Sequence, residues 1–199
     1  MLTFLLIQPG ATDFDDQGRI KGTLDFPLSD NGVQQVAQMR QSLAETDISV
    51  MFSGPCRSAQ ETAEMIAEPR QVRVRVLDDL KNIDHGLWQG KLIEEIKRGQ
   101  PKAYRHAQEH AEEVQPPEGE SIESARTRIR NVLKKMWKRR RDRVVGLVVS
   151  EPLASLIESE LQGEVLHDLW QSECDQGVCK VLRIGQEDSS VCQPRTRPA

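Results

Sequence analysis

An α/β fold with a mostly parallel sheet is the architecture this sequence predicts, and two observations point to it. Short apolar runs alternate with segments of helical periodicity, the pattern of strands joined by crossover helices. The 199 residues also give one domain enough length to bury a sizeable core.

The strands read from the sequence are LTFLLI (2–7), ISVMF (48–52), VRVRVL (72–77), VVGLVV (144–149) and VCKVLRI (178–184). MLTFLLI has no basic flank and no small-residue cleavage site and is far too short to span a bilayer, so it reads as a buried strand. Ser29 is a candidate N-cap for a helix with Val33, Val36, Ala37 and Leu43 on one side. Residues 57–67 place Ala59, Ala63 and Ile66 at helical spacing. The prolines of QPPEGE forbid an early start to the next long helix, which Ser121 caps and which runs through Ile122, Ala125, Ile129, Val132 and Met136. Between Lys91 and Val114 the pattern is polar and weakly helical, and it reads as an excursion over one end of the sheet. Residues 1–185 are expected to form one domain, and the polar, Pro-containing stretch 186–199 a mobile tail.

A formal net charge of −4 gives no overall basic field, which argues against nucleic acid and anionic membrane as partners. The four cysteines, Cys56, Cys174, Cys179 and Cys192, show no disulfide-framework spacing, so a reducing cytoplasm is expected. Cys174 and Cys179 with His167 fall short of a tetrahedral metal set. His106 and His110 share a helix face, but no third ligand can be named, and a solvated face is the simpler reading. The run KKMWKRRRDR (134–143) mixes cations with Trp137 and could meet an acidic partner; basic residues at a helix C-terminus also simply complement the dipole. Trp88 and Trp170 read as core or loop anchors.

Five segments stand out beyond the first loop, IQPGAT (7–12): GRIKGTLDFPLSDNG (18–32), SGPCRSAQETA (53–63), LKNIDHGLWQG (80–90), PPEGES (116–121) and VVSEP (148–152). In that order and spacing they resemble the histidine phosphatase superfamily, also called phosphoglycerate mutase-like, over almost the whole chain. The resemblance implies a three-layer α/β/α sandwich with a phosphate pocket at the carboxyl ends of the strands, and the 91–120 excursion over that end.

It also implies where pocket groups belong, and this chain departs from the pattern there. The family's first loop reads Arg-His-Gly, its histidine attacking phosphorus; Gln8 and Pro9 occupy those places. A proline ring carries no lone pair to attack with. The asparagine that follows falls on Asp15, the second arginine is kept as Arg57, the glutamate general acid falls on Asn82, and the second histidine on Glu151. An amide cannot deliver a proton to a leaving group at neutral pH. A like charge near 4 Å from a phosphate costs about 4 kcal/mol at an effective dielectric of 20, so carboxylates at Asp15 and Glu151 should repel phosphoryl groups.

Three expectations follow: a degenerate phosphate pocket formed by Gln8, Pro9, Asp15, Arg57, Asn82 and Glu151; an Arg57–Glu151 ion pair inside it; and no catalytic residue, metal or cofactor. The protein is then expected to be a binding or regulatory module for a protein partner or a small anionic ligand. The alternative is a phosphomonoesterase using His85 or a water activated by Asp15 and Glu151, with or without a metal. A third possibility is an interaction protein working through the 134–143 surface alone.

Overall fold

The computed structural model describes residues 2–139, 143–166, 177 and 179–184. The strands among these residues are β1 (Leu2–Ile7), β2 (Ile48–Ser53), β3 (Val74–Val76), β4 (Val144–Val148) and β5 (Cys179–Ile184), in the order β3-β2-β4-β1-β5. β1 pairs parallel with β4, and β2 parallel with β4 and β3, while β5 closes the far side antiparallel to β1. The α-helices among the described residues are α1 (Asp13–Asp16), α2 (Asp30–Ser42), α3 (Arg57–Ala67), α4 (Ile93–Gly99), α5 (Pro101–Glu109), α6 (Ile122–Arg139) and α7 (Leu153–Gln162).

Strand residues point alternately to the two faces, so an all-apolar strand serves two cores. Phe4 and Leu6 of β1, with Val50, Phe52, Val145 and Leu147, pack against α6 and α7. Leu5 and Ile7, with Ile48, Met51 and Val148, pack against α2 and α3. The result is the expected three-layer α/β/α sandwich.

The helix starts obey local chemistry. Ser29 accepts a hydrogen bond from the Gly32 amide (3.2 Å), and Ser121 accepts one from the Ser124 amide (3.2 Å). Two segments depart from expectation. Val72 donates its amide to Ala67 O, closing the turn after α3, so β3 is shorter than the apolar run. The 91–114 stretch is two helices broken at Pro101 and a short 3-10 turn (Ala111–Glu113), and it buries Ile96, Ala107, Ala111 and Val114 in the core. A few apolar residues at the right turns suffice where a broad apolar stripe is missing. His167, Trp170, Cys174, Cys192, the whole stretch 186–199 and residues 140–142 of the basic run lie outside the described residues.

Ser53, Val148 and Ile7 are level across the parallel strands. Gln8, Gly54 and Ser150–Glu151 therefore leave the sheet at the same end, where parallel α/β sheets collect functional loops.

Candidate functional site at the strand carboxyl ends

The loop after β1 is held by its backbone. Gly10 lies so close to Gly32 O and Val36 that a Cβ there would collide with both. Its amide donates to Thr62 Oγ1 (3.2 Å), the Ala11 amide to Gln35 Oε1 (2.9 Å), and Ala11 O accepts from the Ser29 amide (2.9 Å). Gln8 and Pro9 are buried at the tip.

Gln8 Nε2 donates to Glu151 Oε1, and the other carboxylate oxygen of Glu151 accepts from the Ser155 amide (3.0 Å) in the first turn of α7. A helix start offers free amides and a positive dipole end, which suits a carboxylate. Asn82 Nδ2 donates to Glu151 O (2.6 Å) and Gly22 O (3.2 Å), while its Oδ1 accepts from the Leu153 amide (3.3 Å). Gln8, Asn82 and Glu151 are only 4%, 5% and 3% exposed, so three of the singled-out positions form one buried hydrogen-bonded cluster. All of these bonds but the one from the Ser155 amide join segments far apart in sequence, tying the end of β1, the 80–90 segment and the start of α7 together.

Asp15 is engaged elsewhere. It closes a capping box with Thr12: its Oδ2 accepts from Thr12 N and Thr12 Oγ1, both at 2.7 Å. Lys21 Nζ donates to both carboxylate oxygens, at 3.1 and 2.8 Å, with the two side chains 3% and 4% exposed. Lys21 is the partner that sequence reading missed. It sits in the GRIKG stretch six residues from Asp15, and a lysine there should have been weighed as the carboxylate's counter-charge.

Arg57 turns outward, and the expected pair with Glu151 does not form. The Arg57 side chain is 61% exposed and pairs with Glu61 one helical turn on (2.9 Å), while its amide donates to Asp25 Oδ1 (2.6 Å). The physical reason is that Gln8 and the Ser155 amide already supply donors to Glu151, while Glu61 offers Arg57 a solvated partner at helical spacing without burial of its charge. The electrostatic balance differs from the expectation accordingly: Asp15 is neutralised by Lys21, and Glu151 is stabilised by neutral donors.

His85 is buried (2% exposed) in a segment whose Gly86 presses on the 116–119 loop. Trp88 is a core residue, its indole Nε1 donating to Gln100 Oε1 (3.3 Å). The His106 and His110 rings lie 5.2 Å apart, and among the described residues no group of three His, Cys, Asp or Glu is placed to hold a metal ion.

A mostly parallel sheet between two helical layers, with its polar loops gathered at the strand carboxyl ends, defines a phosphoglycerate mutase-like α/β protein. The chain belongs to the histidine phosphatase superfamily (branch 1), which it matches over residues 4–193. Phosphoserine phosphatase 1 of Hydrogenobacter thermophilus is 29% identical over 191 residues, covering 96% of this chain and 90% of that protein. The adenosylcobalamin/alpha-ribazole phosphatase of Escherichia coli is 20% identical over 186 residues, 94% of this chain and 92% of the other. Among solved structures, YhfR of Bacillus stearothermophilus matches with a TM-score of 0.82 at 20% identity, over 94% of this chain and 93% of that one. A mycobacterial glucosyl-3-phosphoglycerate phosphatase in complex with VO3 matches with a TM-score of 0.77 at 25% identity, over 85% and 86%.

Proposed function

We propose that this chain keeps the histidine phosphatase fold but has lost phosphohistidine chemistry, and that it acts as a binding or regulatory module in a cytoplasmic setting. The observation that carries this reading is the tip of the first loop. Pro9 stands where the family resemblance calls for the attacking histidine, and its neighbour Gln8 is bonded to Glu151, which stands where the second histidine belongs. A nucleophile needs a lone pair aimed at phosphorus, and an anion site needs net positive donors; neither ring nor carboxylate supplies them.

The reading with a water activated by Asp15 and Glu151 gains no support from the geometry. The ammonium of Lys21 lies on both oxygens of Asp15, so a metal ion there would have to displace a buried cation. Steady-state assay of the purified protein on phosphoserine, α-ribazole 5′-phosphate and p-nitrophenyl phosphate, with and without Mg²⁺, Mn²⁺ or Zn²⁺, tests the proposal. Turnover no higher than that of an Arg57→Ala, Glu151→Gln double variant is the expected result. Saturable turnover that this variant loses would overturn it.

A further inference from the structure

The outer face of α3 carries a groove that the strand-end site does not use. It has a volume of about 700 Å³ and is floored by Leu28, Val33, Met65, Val72 and Val74. Val33 is 43% exposed, and Met65, Val72 and Val74 are half-buried, an apolar strip on the surface. Glu61 and Glu64 of α3, and Glu68 just past its end, line the same groove. Their spacing of three and four residues, with Glu68 still in right-handed helical conformation as the C-cap, puts them on one stripe. Glu61 is committed, accepting from the Leu28 amide (2.8 Å) and Arg57 Nε (2.9 Å). Glu64 and Glu68 are exposed, and their carboxylates make no hydrogen bond or ion pair among the described residues. Beside the groove, β3 is the edge of the sheet, paired with β2 on one side only.

An apolar strip flanked by two uncompensated carboxylates at helical spacing is complementary to one kind of surface: an amphipathic helix with an apolar face and a basic stripe. We propose that this groove docks such a lysine- or arginine-bearing helix of a partner protein. The helix would lie along α3, its apolar side chains over Met65 and the valines and its cations on Glu64 and Glu68. Glu61 stays in its bonds to Leu28 and Arg57 and shapes the end of the groove. The site is separate from the Gln8–Glu151 cluster, so it stands or falls independently of the lost chemistry.

The test uses the full chain and two synthetic amphipathic peptides with the same leucine face, one with lysine at the flanking positions and one with glutamate, followed by fluorescence anisotropy and by chemical-shift mapping. The lysine peptide is expected to bind at least tenfold more tightly than the glutamate peptide, to weaken as salt rises, and to shift the Val33, Met65 and Val74 resonances. Glu64→Lys with Glu68→Lys, both on the solvent side, should cost at least tenfold with the circular dichroism spectrum unchanged. Equal affinity for the two peptides, binding indifferent to the double variant, or perturbation confined to other residues would overturn the proposal. So would self-association of the chain through this face, or a lysine peptide that binds only after residues 186–199 are removed.

Discussion

Replacing Lys21 with methionine probes the feature of the site that departs most from a phosphate pocket. The substitution keeps most of the side-chain length and removes the charge, leaving the Asp15 carboxylate 4% exposed, without its ammonium partner and still accepting from Thr12. At Nζ–O separations of 2.8 and 3.1 Å the Coulomb attraction is about 5 to 6 kcal/mol at an effective dielectric of 20. Desolvation of both ions offsets much of that in the native pair, but removing one partner strands the other, which typically costs about 3 to 5 kcal/mol. The two bonds from Thr12 hold the expected cost to about 3 kcal/mol, or a Tm drop of roughly 6 to 12 °C for a chain of this size. Urea denaturation of the parent, Lys21→Met, Asp15→Asn and the double variant gives a double-mutant cycle. A coupling of about 2 kcal/mol or more is expected, the double variant being less damaged than the sum of the singles. A Lys21→Met cost below about 0.5 kcal/mol with no coupling would refute the buried pair.

Other substitutions test the remaining contacts. Asn82→Asp is nearly isosteric yet turns a donor toward Gly22 O and Glu151 O into a carboxylate, so urea denaturation should show a loss of about 2 to 4 kcal/mol, larger than that of Asn82→Leu. Arg57→Ala removes an exposed i,i+4 pair and should change stability by less than about 1 kcal/mol; a larger loss would restore the idea of an interior role for this arginine. Burial pushes the Cys179 thiol from 9.0 up to about 11. Folding therefore favours its protonated form, so its contribution to stability is full below about 9 and fades as pH climbs toward about 11. Peptide mapping after alkylation at pH 8 should show native Cys179 reacting roughly a hundredfold more slowly than in urea.

The layout of the fold was legible because it rests on periodicity. The apolar runs named the five strands found among the described residues, and Ser29 and Ser121 marked two helix starts by the oxygens they offer to free amides. Charge pairing was less legible, since partners are set by three-dimensional reach. Arg57 had a nearer, wetter partner in Glu61, and Glu151 found neutral donors in Gln8 and a helix amide. An isolated lysine in a loop normally reads as solvated; the spacing to Asp15 suggests the pair, and the 3% and 4% exposure of the Lys21 and Asp15 side chains is visible only in three dimensions. Asn82 shows the opposite case. Sequence marked it as an acid exchanged for an amide, whereas the structure adds that the amide is needed, because it donates to two carbonyl oxygens where a carboxylate would be repelled.

The absence of a phosphorylated intermediate is the claim on which the proposed function depends most directly. Rapid mixing of the protein with excess phosphoserine or α-ribazole 5′-phosphate, followed by a denaturing quench at alkaline pH and intact-mass measurement, reads that intermediate itself, with an active member of the superfamily run in parallel. The expected spectrum shows the unmodified chain alone at every time point. A species heavier by one phosphoryl group, mapped to His85 or to any other residue of the strand-end site, would contradict it.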